Sequence, residues 1–270
     1  MDKEISLLNN FGITNNEAKV YITLLQMDAS TGYKISKSSG IPRSKIYNLL
    51  SSLEEKGLIL KSADETPLYK SLSVNELISK LKNDSKEHID DIKDALADLG
   101  TVTQPESIWL IDSYEQVFEK VLYQIENAQE SLYIQIYSED LSPELINALA
   151  TAEKRLHKFV VILFSNHHHY SLPFKRYYKH FFEADKTLDY GGKWVNIISD
   201  GNEVTYGKLP EKASNTGVVT TRNSSMVFLA QEYVLHDAYN LRTLSLLDAD
   251  AEKVFGKDLE GVRNIYFDKK

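Results

Sequence analysis

Between Asp28 and Glu54 the chain carries no acidic residue and four basic ones, Lys34, Lys37, Arg43 and Lys45. Ser44, Tyr47 and Asn48 stand among them, in a chain whose formal net charge is −8. Lysine and arginine neutralise phosphate oxygens, and serine, tyrosine and asparagine hydrogen-bond to phosphates and base edges. A carboxylate in the same window would face those phosphates and weaken binding. Such a window suits contact with nucleic acid, but charge alone also fits a small helical domain with a solvated basic face. The elements around the window separate the two.

"NEAKVYITLLQM" places Ala18, Tyr21, Ile22, Leu24 and Leu25 at helical spacing, opened by a capping box of Thr14 and Glu17. Thr31 precedes "GYKISKSSG", a short helix closed by Gly40, and Pro42 enters the first turn of the next helix. That helix sets Ile46, Leu49, Leu50 and Leu53 on one face and stops at Gly57. "LILKSADETPLYKSLS" follows as two short strands around a polar turn from Asp64 to Pro67. Helix, helix, tight turn, helix and hairpin is the order of a winged helix-turn-helix, which lays one helix across the phosphate backbone and presents the next to base edges. The expected DNA contacts are Arg43, Ser44, Lys45, Tyr47 and Asn48 on the second helix of the motif. Thr31, Tyr33, Lys34 and Lys37 join them from the first, and Lys61 and Lys70 from the wing. Glu54 and Glu55 come only after the helix has left the groove.

From Val74 to Leu99 no proline or glycine interrupts the chain. Ile78, Leu81, Ser85, His88, Ile92, Ala95 and Leu99 alternate at spacings of three and four, a heptad seam weakened by Ser85 and His88. It fits a linker helix packed on its own chain or a two-stranded coiled coil. The coiled coil is the expectation taken forward, with Ile78, Leu81, His88, Ile92 and Leu99 as dimer contacts. "GTVTQP" at 100–105 marks a boundary.

Beyond it, strand candidates "SIWLID", "SLYIQIY", "KFVVILF" and "KWVNIIS" alternate with amphipathic stretches at 114–128, 141–155 and roughly 173–186. Alternation of this kind predicts an α/β layer on a mainly parallel sheet. "SDGNEVTYG" predicts a hairpin turned at Asp200–Gly201, "TGVVTT" another strand, and the segment after Arg222 a long helix. Strand ends in such sheets line ligand crevices. Ser138, Glu139 and Asp140 therefore either line one or cap the helix that follows. Trp194, Asp200, Asn202 and Arg222 are weaker candidates for the same crevice, which would suit a polyhydroxylated effector.

Residues 1–82 hold eleven Lys/Arg and nine Asp/Glu, a net +2, and the remaining 188 hold twenty and thirty, a net −10. The expected organisation is a DNA-binding domain at 1–73, a helical linker at 74–100 and an α/β effector-sensing domain at 105–270. The absence of cysteine removes disulfides, thiolate catalysis and zinc–cysteine sites, and fits a cytoplasmic protein. No apolar run approaches the ~20 residues of a membrane span, and "MDKEISLLNN" does not read as a signal peptide. The histidines of "SNHHHY", His167, His168 and His169, diverge on an extended segment and read as a surface loop rather than a metal site. No cofactor is expected.

Residues 8–59, from "LNNFGITNNEAKVYITLL" through "SGIPRSKIYNLLSSLEEKGLI", resemble the N-terminal winged helix of TrmB-family transcriptional regulators, as does "PLYKSLS". "ENAQESLYIQIYSEDLSPELINALATAEKRLHKFVVILF" and "GVVTTRNSSMVFLAQEYVLHD" resemble the sensor domain of the same family, similar in fold to the phospholipase D superfamily. The resemblance implies a homodimer on a pseudo-palindromic double-stranded operator and a small effector such as a sugar. Phospholipase D chemistry needs His-x-Lys-x4-Asp, and none of the seven histidines has lysine two positions later, so an enzyme is not expected. The rivals are a phosphodiesterase-like enzyme docked on nucleic acid and an architectural DNA binder without an effector.

Overall fold

The computed structural model describes residues 1–100, 106–165, 171–180, 191–209, 217–247, 249–256, 259 and 261–262. The chain divides into two compact units, Met1–Val102 and Thr103–Lys270.

The first unit opens with α1 (Asp2–Asn9), a helix not anticipated above, whose Ile5 and Leu8 rest on the core. In α2 (Asn15–Leu25) both halves of the capping box form: Glu17 N donates to Thr14 Oγ1, and Thr14 N donates to Glu17 Oε2. After β1 (Ser30–Thr31) come α3 (Gly32–Ser39) and α4 (Arg43–Glu55), then β2 (Ile59–Lys61) and β3 (Leu68–Ser71). The strands make an antiparallel sheet in the order β1-β3-β2. Between α3 and α4 the chain reverses at Gly40, whose φ of 68° lies in the left-handed region that costs glycine nothing. Ser36 Oγ donates to the Ile41 carbonyl at 2.6 Å and Ile41 N donates to Ser39 Oγ, so the turn's polar groups are met locally. Tyr21, Ile35, Ile46, Leu50 and Leu53 are fully buried and fix the angle between α2, α3 and α4.

Ser73 and Glu76 cap α5 (Val74–Leu96), which is followed by a 3₁₀ turn at Ala97–Gly100. Only its start engages the core, through buried Leu77 and half-buried Leu81.

The second unit runs β4 (Ile108–Ile111), α6 (Tyr114–Asn127), β5 (Ser131–Tyr137), α7 (Pro143–Arg155), β6 (Lys158–Phe164), β7 (Tyr177–Lys179), β8 (Trp194–Ser199), β9 (Glu203–Lys208), β10 (Val218–Thr221), α8 (Ser224–Leu247) and α9 (Ala249–Phe255). Among the described residues its strands are ordered β4-β10-β9-β8-β5-β6-β7. The expectation of a mainly parallel sheet fails: among the described strands only β5/β6 and β6/β7 are parallel. The β8–β9 hairpin forces antiparallel pairing, and β10 and β4 extend it. The third amphipathic stretch is also corrected. Within 173–180 the chain forms β7 rather than a helix, with Tyr177 and Tyr178 packing on opposite faces at strand period; residues 181–190 lie outside those described.

Alternation along the central strands builds three layers. Leu132, Ile134 and Ile136 of β5 and Val195 and Ile197 of β8 meet α6 and α7, whereas Tyr133, Tyr137 and Ile198 meet α8. No helix among the described residues is long and apolar enough to cross a membrane.

Candidate nucleic-acid interface

Apolar residues hold α4 in place and leave its other face open. Ile46, Leu50 and Leu53 are buried, while Arg43, Ser44, Lys45, Tyr47 and Asn48 are exposed. Lys34, Lys37 and Tyr33 are exposed on α3. The guanidinium carbon of Arg43 sits 5.6 Å from the centre of the Tyr33 ring, a cation–π approach that steadies the arginine at the start of α4. Thr31 is the N-cap of α3, its hydroxyl accepting from Lys34 N at 3.5 Å, so its first task is structural. Tyr47 is shared between packing and surface: a Cβ on Gly32 would lie 2.7 Å from its ring, so the ring occupies the space that a side chain at Gly32 would need.

The wing separates its two lysines. Lys61 pairs with Tyr69, and Lys70 pairs with Leu60. Adjacent pairs project to opposite sheet faces, so Lys61 and Lys70 do not converge. Glu54 and Glu55 are exposed at the far end of α4.

A buried carboxylate, missed as a functional support, braces this surface. Glu17, 3% exposed, accepts hydrogen bonds from Ser52 Oγ at 2.6 Å and Lys56 Nζ at 2.8 Å as well as from Thr14. Lys56 Nζ also donates to the Gly12 carbonyl at 2.9 Å. The sequence signal for Glu17 was its place in the capping box; nothing local signalled its partners across the domain.

The effector candidates of the second unit fall into two groups. Ser138, Glu139 and Asp140 form a 3₁₀ turn after β5 and do not cap α7, whose N-cap is Ser142. Asp140 Oδ1 accepts from Tyr114 Oη at 2.9 Å and from Lys193 Nζ at 2.8 Å, and Glu139 accepts from Ser165 Oγ at 2.9 Å. Burial, followed by the Asp140 charge, pushes the Tyr114 hydroxyl well above its ordinary value. Trp194 packs on the same side, 4.6 Å from Phe164 and 5.4 Å from Tyr137 between ring centres.

Asp200, Asn202 and Arg222 belong to the other end of β8, about 20 Å away at ~3.3 Å per residue. The Asp200 carboxylate accepts from the backbone N–H groups of Gln129, Glu130 and Ser131, a structural role. Burial raises its pKa, but those hydrogen bonds and the charge of Arg155 outweigh burial and lower it. Arg222 approaches Glu203 at 3.4 Å, where Lys120 binds as well. One crevice uniting all these residues therefore does not exist. The histidines at 167–169 lie outside the described residues, and no cluster of potential metal ligands occurs among the described ones.

Residues 7–75 match the family model of the sugar-specific transcriptional regulator TrmB. Over those residues the first unit matches the TrmB family. The TrmB match takes in every residue named above on α3, α4 and the wing, and the unit is a TrmB-like DNA-binding helix-turn-helix. Over 260 residues the chain is 29% identical to the uncharacterized protein YrhO of Bacillus subtilis (strain 168), covering 96% of this chain and 93% of YrhO. It is also 29% identical over 130 residues to the HTH-type sugar sensing transcriptional regulator TrmBL1 of Pyrococcus furiosus, covering 47% of this chain and 38% of TrmBL1. Among solved structures, the archaeal chromatin protein TrmBL2 aligns over 88% of this chain and 98% of its own at 20% identity, with a TM-score of 0.38.

Proposed function

We propose that this protein is a homodimeric transcriptional regulator whose first unit grips an operator and whose second unit answers a small effector. The observation that supports DNA contact best is the face of α4: five exposed residues, none acidic, on a helix held from behind by buried leucines and isoleucine. Arg43 and Lys45 supply phosphate contacts, and Ser44 and Asn48 sit where the early residues of a recognition helix meet base edges. Lys34 and Lys37 add backbone contacts from α3. The organisation is a winged helix at 1–73, a helical linker at 74–100 and a phospholipase D-like sensor at 105–270 that lacks His-x-Lys-x4-Asp.

Dimerisation through α5 is supported by its exposed apolar side chains. Ile78, Ser85, Ile92 and Leu99 recur every seven residues, and all but Ser85, which is half-buried, are exposed. Ile89 and Leu96, also exposed, lie four residues after Ser85 and Ile92. The stripe is thus centred on Ile89 and Leu96 rather than on His88 and Ala95, and a two-stranded coiled coil would cover it.

Gel-shift titrations on operator DNA at several salt concentrations test DNA contact. Arg43→Ala and Lys45→Ala should each weaken binding and lower the salt slope by about 1. Unchanged affinity with unchanged slope would remove α4 from the interface.

A further inference from the structure

Between α8 and the facing strands lies a pocket of about 500 Å³, in the size range that takes small ligands. Met226, Leu229, Ala230 and Tyr233 wall it from α8, and Trp194 and Tyr206 from β8 and β9. The polar lining differs in kind: Gln135 and Asn196 are buried, and Lys208 is exposed. Of the effector candidates named from sequence, only Trp194 belongs to it.

The buried amides form a directed chain. Gln135 Nε2 donates to Asp237 Oδ2 at 2.8 Å, and a carboxylate only accepts, so the orientation of Gln135 is fixed. Its Oε1 must therefore accept, which it does from Asn196 Nδ2 at 3.4 Å. Asn196 Oδ1 then remains at the end of the chain, buried and without a hydrogen-bond partner among the described residues. A buried acceptor left unmet costs about 1–3 kcal/mol, and a donor supplied by a ligand removes that penalty.

We propose that this pocket is the effector site and that it takes a planar aromatic acid bearing one ring O–H or N–H. The aromatic and aliphatic walls enclose the rings, the ring donor meets Asn196 Oδ1, and the acid group meets Lys208. A sugar fits this chemistry poorly, because its many hydroxyls would face walls that offer few partners. The proposal rests on the sensing role given above and names the class of ligand.

Calorimetry on the full chain tests it with four probes: 6-hydroxy-2-naphthoate, 2-naphthoate lacking the donor, 2-naphthol lacking the acid, and maltose. The hydroxynaphthoate should bind at least about 10-fold more tightly than either incomplete probe, the ratio expected for one charge-assisted or buried hydrogen bond. Maltose should not compete. Lys208→Met should abolish the preference for hydroxynaphthoate over 2-naphthol, and Asn196→Leu its preference over 2-naphthoate. Ala230→Trp should block all aromatic probes; circular dichroism separates blocking from misfolding, and the exposed Lys208→Met variant still reports if Ala230→Trp does not fold. Equal binding of the three aromatic probes, or binding untouched by Lys208→Met and Asn196→Leu, overturns the site. Gel shifts with the same probes divide the two claims. A probe that binds by these rules yet leaves operator affinity unchanged refutes sensing and keeps the site, whereas a sugar that shifts operator affinity in the Lys208→Met and Asn196→Leu variants refutes the site and keeps sensing.

Discussion

The Glu17 carboxylate lies 2.8 Å from the Lys56 ammonium and ties α2 to the end of α4. Its side chain is 4% exposed. Burial raises its pKa, but hydrogen bonds from Lys56, Ser52 and Thr14 outweigh burial and hold it at about 2, against an ordinary 4.5. Because the folded value is depressed, the contribution to stability is fully present above pH 4.5 and is lost as the pH falls from there towards 2. A shift of this size corresponds to on the order of 3 kcal/mol. Glu17→Gln should therefore destabilise the first unit at pH 7 and flatten its acid dependence. Hydrogen-exchange protection of α2 and α4 amides, compared at pH 7 and pH 4, reads this; equal pH dependence in wild type and variant would refute it.

Gly32 and Tyr47 form a second coupled pair. Gly32→Ala places a methyl 2.7 Å from the outer edge of the Tyr47 ring, and because that exposed ring can swing aside the cost should stay under about 1 kcal/mol. Tyr47→Ala in the same chain should recover much of that loss. Chemical unfolding of the single and double variants closes the cycle, and strict additivity would show that the two residues do not press on each other.

Asp200 should behave as a structural residue. Asp200→Ala leaves three backbone N–H groups without their acceptor and should lower the stability of the second unit by about 1–3 kcal/mol. Asp200→Asn should cost less, because the amide oxygen still accepts and asparagine tolerates the φ of 54° found there. Binding of the naphthoate probes should be unchanged in Asp200→Asn. A selective loss of binding with stability intact would return Asp200 to a ligand site.

On α5 the dimer contact should follow Ile89 and Leu96. Ile89→Asn and Leu96→Asn should shift the chain from dimer to monomer in analytical ultracentrifugation, whereas His88→Ala should not. Dissociation by His88→Ala with Ile89→Asn silent would restore the seam through His88 and Ala95.

Much of the first unit was legible because its signals are local. Thr14 with Glu17, Gly40 at a left-handed position and the i, i+3, i+4 spacing of Ile46, Leu49, Leu50 and Leu53 each depend on residues a turn apart. The second unit was legible as strands and helices but not as a sheet. Strand direction depends on which segments pair, and "KWVNIIS" reads the same whether its neighbour runs parallel or antiparallel. Tyr177 and Tyr178 escaped for a related reason: a three-residue edge strand has too few alternations to separate from a helix.

By itself the sequence determined the order of elements in the first unit, the acid-free face on α4 and the charge difference between residues 1–82 and the rest, since each follows from residue type and short-range spacing. Only the tertiary structure decided which side chains share a site. It set Ser52 and Lys56 on Glu17 across 35 and 39 residues, and Asp237, Gln135 and Asn196 in one chain from three separate elements. It also divided Trp194 from Asp200 by the length of a strand. Hydrogen bonds and aromatic contacts act over a few ångströms in space, and the sheet register that brings those atoms together is settled by packing along the whole unit rather than by any stretch within it.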